Sequence, residues 1–220
     1  MRCGHIACFL ISARLLAGAA VVDRIAVIVG SHAIKTSDVD REVRVTAFLN
    51  RQPVDQTPAA RKKVAERLID QELVREELMS GQYAQPTIQD AAAFLQQLKR
   101  DRFGGADARF RSEIARYGLT EDQLRRHLLW QLSVLKFIDQ RFRANILVTD
   151  EEIAKYYDEH RQDLLKAFPR NNSREELTPQ IRETLTGERI NQGFEEWLAE
   201  TRKRTRIDYR PQAFDGGGTQ

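Results

Sequence analysis

His5, His32, His127 and His160, with Cys3 and Cys8, are the side chains of this 220-residue sequence best suited to bind a metal, attack a carbonyl or carry a proton. Their spacing supports none of these roles. A helical zinc site sets two imidazoles one turn apart, as in His-Glu-x-x-His, and no two histidines here stand so. His32 reads as a turn residue, and His127 and His160 as helix-surface or satisfied core residues. The carboxylate pairs Glu76-Glu77, Glu151-Glu152 and Glu195-Glu196 fall on segments rich in Lys and Arg, where solvated faces and local ion pairs are expected rather than acid/base catalysis. "AVIVGSHA" has one glycine after a strand where a dinucleotide fingerprint needs three, and no phosphate-cradling P-loop occurs. The expectation is a protein that is not an enzyme, with no catalytic residue, no cofactor, no metal and no use of nucleotide.

The first twenty residues read as an export signal. Met1-Arg2 is a short positive start, Ile6 to Leu16 is mostly apolar, and Ala17-Gly18-Ala19-Ala20 supplies the small residues of a cleavage site. Arg14, Asp23 and Arg24 interrupt this run, which falls short of the roughly twenty apolar residues a bilayer crossing needs. Residues 1–20 are therefore expected to be removed, leaving a periplasmic protein with no stable membrane span. Both cysteines leave with the signal, so no disulfide or thiol chemistry is expected afterwards. Removing Arg2 and Arg14 takes the balance from 35 basic against 32 acidic residues to 33 against 32, which withdraws the surplus a nucleic-acid partner would require.

The elements that would position any remaining function are mostly helical. Thr57-Pro58 sets a capping hydroxyl before a proline at the first helical position. Thr120 with Gln123, and Thr149 with Glu152, form capping boxes, and Leu119 with Leu124 a hydrophobic staple. Gly104-Gly105 and Gly118 sit where helices should stop, and Thr178-Pro179 opens the last helical run. Val64, Leu68, Ile69, Leu73 and Leu78 stripe one helix; Leu124, Leu128, Leu132, Leu135, Ile138 and Phe142 stripe a longer one, and both stripes read as core. Gly187 and Gly193 interrupt the final helix and mark a bend or a close packing contact. Arg24 to Val29 reads as a strand, Gly30-Ser31-His32 as a turn, Ala33 to Lys35 as a returning strand, and Ser37 with Asp40 as the cap of the first helix. Arg206 to Arg210 alternates with period two and stops at Pro211. Two strand signals at opposite ends most simply pair with each other. The expected fold is mainly α, with a small β-sheet formed by the N-terminal hairpin and the C-terminal strand.

Taken in order, "VVDRIAVIVGSHAIKTSDVD", "RLIDQELVREE", "YGLTEDQLRRHL" and "VTDEEIAKYYDEH" resemble the N-terminal region of the SurA family of periplasmic chaperones and related parvulin-type foldases. "IRETLTGERINQGFEEWLAETRKRTRIDYRP" resembles the helix and strand that close the same core in that family. The resemblance implies a helical chaperone region over 21–160, a short linker over 161–176, a closing helix and strand over 177–211, and a flexible tail over 212–220. In the family, parvulin domains of roughly a hundred residues follow the segment like "VTDEEIAKYYDEH". Here "RQDLLKAFPRNNSREE" is too short to hold one. The resemblance thus implies an ATP-independent holdase for unfolded polypeptides such as outer-membrane protein precursors, without prolyl isomerase activity.

Such a function would lie in surfaces: apolar grooves that accept extended chain, bounded by charge. "AAAFLQQLKRDRFGGADARFRSEIARYG" and "LLWQLSVLKFIDQRF" nominate Phe94, Leu98, Phe103, Phe110, Tyr117 and Trp130 as client-binding candidates, with Gly104-Gly105 as a joint or part of a rigid loop. The competing role for each aromatic is to pack the helical body. "NQGFEEWLAETRKRTR" sets Phe194, Trp197 and Leu198 beside the basic run Arg202-Lys203-Arg204, which suits a helix C-terminus without any ligand. A structural subunit binding one dedicated folded partner is the alternative reading, and a homodimer is compatible with both.

Overall fold

The computed structural model describes residues 23–170 and 173–214. The export signal expected over 1–20, with His5, Cys3 and Cys8, lies outside the described residues, as does the last part of the expected tail.

The chain opens as a hairpin of β1 (Ile25–Val29) and β2 (His32–Lys35). Gly30 at φ +57° is the only residue of the two-residue turn with positive φ, the pattern of a type II′ turn, which matches strand twist. His32 thus begins β2 rather than sitting in the turn. Near the other end, β3 (Ile207–Tyr209) pairs antiparallel with β1, giving a sheet of order β2-β1-β3. Gly30 donates to the Arg206 carbonyl at 2.8 Å and Arg210 to that of Ala26 at 2.9 Å, so the two ends of the chain are stitched together as expected.

Seven helices carry the rest of the described residues: α1 (Thr36–Asn50), α2 (Pro58–Ser80), α3 (Ile88–Phe103), α4 (Asp107–Arg116), α5 (Glu121–Phe142), α6 (Asp150–Ala167) and α7 (Arg174–Arg204). The anticipated caps of α2, α5 and α6 form, each from a threonine hydroxyl that accepts a backbone N–H. The cap of α1 differs. The Asp38 carboxylate accepts the Lys35 N–H at 3.0 Å, and Asp23 accepts from the Ser37 hydroxyl at 2.6 Å. Asp40 pairs instead with Arg61 of α2 at 3.1 Å. The start of α7 also differs, because Ser173 and Glu176 make a capping box that begins the helix five residues before Pro179. With α6 reaching Ala167, helix occupies much of the stretch expected as linker.

Three apolar clusters hold these elements. The first joins β1, Val39, Val43, Val64, Ile69 and Leu73 to Ala213 and Phe214, so the chain after β3 is anchored in the core where a tail was expected. The second packs α1 against α3, α4 and α5 through Phe48, Leu95, Phe110 and Leu124. The third is a satellite in which Ile153 and Tyr157 of α6 meet Leu177 and Ile181 of α7.

Between α5 and α7 runs an aromatic seam. Phe137 meets Trp197 with ring centroids 5.3 Å apart, and Phe142 meets Phe194 at 6.0 Å, both edge-on. A side chain at Gly193 would stand 3.3 Å from Phe142, so this glycine serves close packing; at Gly187 nothing lies within 4 Å. Arg141 lies 5.3 Å from the Trp197 ring centre and donates to Glu77 and to the Tyr83 hydroxyl, each at 2.6 Å. Glu77, expected on a solvated face, is thereby a tie between distant segments. Arg202 likewise bridges to Glu66 at 3.1 Å and Asp70 at 2.6 Å, so the basic run at the end of α7 is partly consumed in closing the fold. Burial pushes the Asp70 carboxyl above its ordinary range even beside that guanidinium.

Candidate functional site

Helices α2 and α5 face each other without closing, and α1 lies beneath them. The opening is a cleft of about 590 Å³ that continues into a second of about 520 Å³. Glu42, Gln71, His127 and Trp130 line both and mark their junction. Each wall is one helical face: Gln123, His127, Trp130 and Val134 follow one another on α5 at four- and three-residue steps. Beyond the second cleft, Leu135, 63% exposed, turns over the far side of α5 into a hollow of about 760 Å³ with Leu132, Ile190 and Gly187. The first two clefts run from Gln123 to Leu135, about 18 Å along the helix axis. That length matches about five residues of extended chain.

The apolar lining comes from Leu68, Leu129, Trp130, Leu49, Val134 and Leu135, and the rims are polar. Each rim cation of the first cleft has a carboxylate partner on its own helix: Arg41 with Asp38, Arg126 with Asp122, and Arg75 with Glu72 at 3.2 Å. The Arg75 guanidinium also lies 4.8 Å from the Trp130 ring centre. His127 Nδ1 is 3.1 Å from the Glu42 carboxylate, and its Nε2 is buried without a partner. His32 Nδ1 stands 3.6 Å from Glu72.

The six residues nominated from the sequence do not converge. Trp130 alone lines the cleft. Phe94 stands out from α3, 50% exposed, away from it. Leu98 and Phe110 lie buried in the second core, Phe110 with no exposure at all. Phe103 and Tyr117 are half-buried against that core, edge-on to Phe110 and Phe48 with centroids 5.6 Å apart in each case. Gly104 and Gly105 end α3 with left-handed backbone, their N–H groups donating to the Arg100 and Lys99 carbonyls, which makes the pair a helix stop.

Leu135, expected in the core stripe of α5, is instead exposed, because the buried face of that helix shifts to Ser133 and Phe137 as it passes from α3 to α7. The sequence reading missed Glu42, Gln71 and Glu72, and assigned His127 no role. The available signal was the repeat of polar and aromatic residues beside the leucine stripe of α5. His160 is exposed and stacks on Tyr156 at 4.1 Å, remote from the cleft lining. Among the described residues no cluster of metal-binding side chains occurs, and no helix is long and apolar enough to cross a membrane. Neither a protein-family model nor a curated protein sequence matches this chain.

Proposed function

We propose that this protein is an ATP-independent periplasmic chaperone, a holdase that binds unfolded or partly folded polypeptides such as outer-membrane protein precursors, without prolyl isomerase activity. The observation that carries the reading is the pair of adjoining open clefts along α5, whose lining mixes apolar side chains with charged ones. A site of that length and openness suits extended chain better than a compact small molecule. The order of motifs resembling the SurA family supports the same reading.

The test is light scattering of a denatured outer-membrane protein diluted into buffer with the purified protein and no nucleotide. Suppression near stoichiometric ratio, repeated with an unrelated client, is expected. Trp130→Ala should weaken client binding by about 1 kcal/mol or more, since an aromatic at the centre of a contact surface carries a large share of its energy. Its melting temperature is the control for folding. Failure of folded protein to suppress aggregation of either client would sink the reading and favour a single dedicated folded partner.

A further inference from the structure

We propose that the junction of the two clefts at Glu42, His127 and Trp130 seats a basic side chain, guanidinium or ammonium, of the bound polypeptide; the inference rests on the chaperone reading and gives that cleft a preferred ligand chemistry. Glu42 is the reason. Its side chain is 13% exposed, yet among the described residues no Lys or Arg lies within ion-pair distance of it, and its one partner is the imidazole of His127. A carboxylate withdrawn this far from water is costly unless a cation or several donors compensate it.

The cations of the first cleft are already committed to Asp38, Glu72 and Asp122, and Arg67 of the second cleft donates to the Thr46 hydroxyl at 3.0 Å rather than to Glu42. Among the described residues, the one group against the Glu42 carboxylate is the His127 ring, whose Nδ1 lies 3.1 Å away and whose Nε2 is buried without a partner. On the cleft wall Glu72 Oε1 is buried and lacks a hydrogen bond, with His32 Nδ1 at 3.6 Å, while Oε2 of the same carboxylate pairs with Arg75. One orphaned carboxylate oxygen and one under-compensated carboxylate call for a ligand that brings N–H donors and positive charge. Trp130, at the same junction, carries the Arg75 guanidinium 4.8 Å from its ring centre, which shows that the indole accepts such a group.

The experiment uses two fluorescein-labelled, unstructured peptides that differ only in one central residue, Arg or Gln, titrated with the full protein and read by fluorescence anisotropy. The Arg peptide should bind about tenfold more tightly, the scale of one charge-assisted contact. Glu42→Gln should abolish that difference between the two peptides, whereas Glu42→Asp should retain most of it. Melting temperatures of both variants establish that they fold. Equal affinity for the two peptides, or a difference that survives Glu42→Gln, overturns the proposal. Aggregation suppression without discrimination overturns only this inference, while discrimination without suppression removes the chaperone reading and leaves the cationic seat standing.

Discussion

Two phenylalanines nominated for the same role separate at the residue scale. Phe110 is enclosed by Phe48, Phe103 and Leu95, and the Lys99 ammonium lies 4.6 Å from its ring centre. Lys99 is itself buried and held by Glu121 at 3.0 Å and Asp107 at 3.1 Å. Phe110→Ala should therefore cost about 3 to 5 kcal/mol, from lost burial plus the cavity left behind. Phe94→Ala, at an exposed position, should change stability by less than about 0.5 kcal/mol. Urea unfolding of both variants checks the contrast, and similar losses would mean that the second core is not packed as described. Residue type and three-residue spacing are the same for a core aromatic and a groove aromatic, so the sequence could not assign Phe110 and Trp130 to different fates. What decides is which neighbouring helix arrives, and that is set by tertiary packing. The Glu42–His127 contact was hidden for the same reason, since it joins two helices far apart in the chain.

Element boundaries were far more readable, because a cap is a local device. Thr57, Thr120 and Thr149 bond backbone groups three residues away, and such a signal survives without knowledge of the fold. The errors came where a local device had a competitor: Asp23, distant in sequence, took over the Ser37 hydroxyl, and Ser173 pre-empted Pro179. These caps also make a prediction. The Asp90 carboxyl is held below its ordinary range by the Thr87 backbone N–H and then its hydroxyl; Glu152 is held there by the Thr149 backbone N–H and then Arg189. A depressed carboxylate contributes stability that is fully present above its unfolded-state range and is lost as pH falls through the folded value. Thermal melts carried from neutral pH into the acid should show this loss, and Asp90→Asn with Glu152→Gln should make it smaller. An unchanged acid slope would show that these contacts do not persist in solution.

For the whole molecule, pairing of the two ends was predictable because only two strand signals were available to satisfy each other. The position of the cleft was not, since it depends on how α1 spaces α2 from α5. β1 is the central strand, and one of its edges is covered only by Ile207–Tyr209. Ending the chain after Arg206 would remove that strand together with Ala213 and Phe214 from the first core. Such a truncation should unfold or aggregate at ordinary temperature, while one after Phe214 should melt within a few degrees of the full chain; circular dichroism distinguishes them. Equal stability would mean that β3 contributes little.

That sheet also has a temporal meaning. Val27 and Tyr209 are neighbours in space but emerge at opposite ends of synthesis. Loop closure of that span must be paid for before the strand contacts reward it, so the helices can form early while the first core waits for the last residues. A polypeptide built this way cannot complete its first core until Ile207–Tyr209 and Phe214 have been made and have returned to β1.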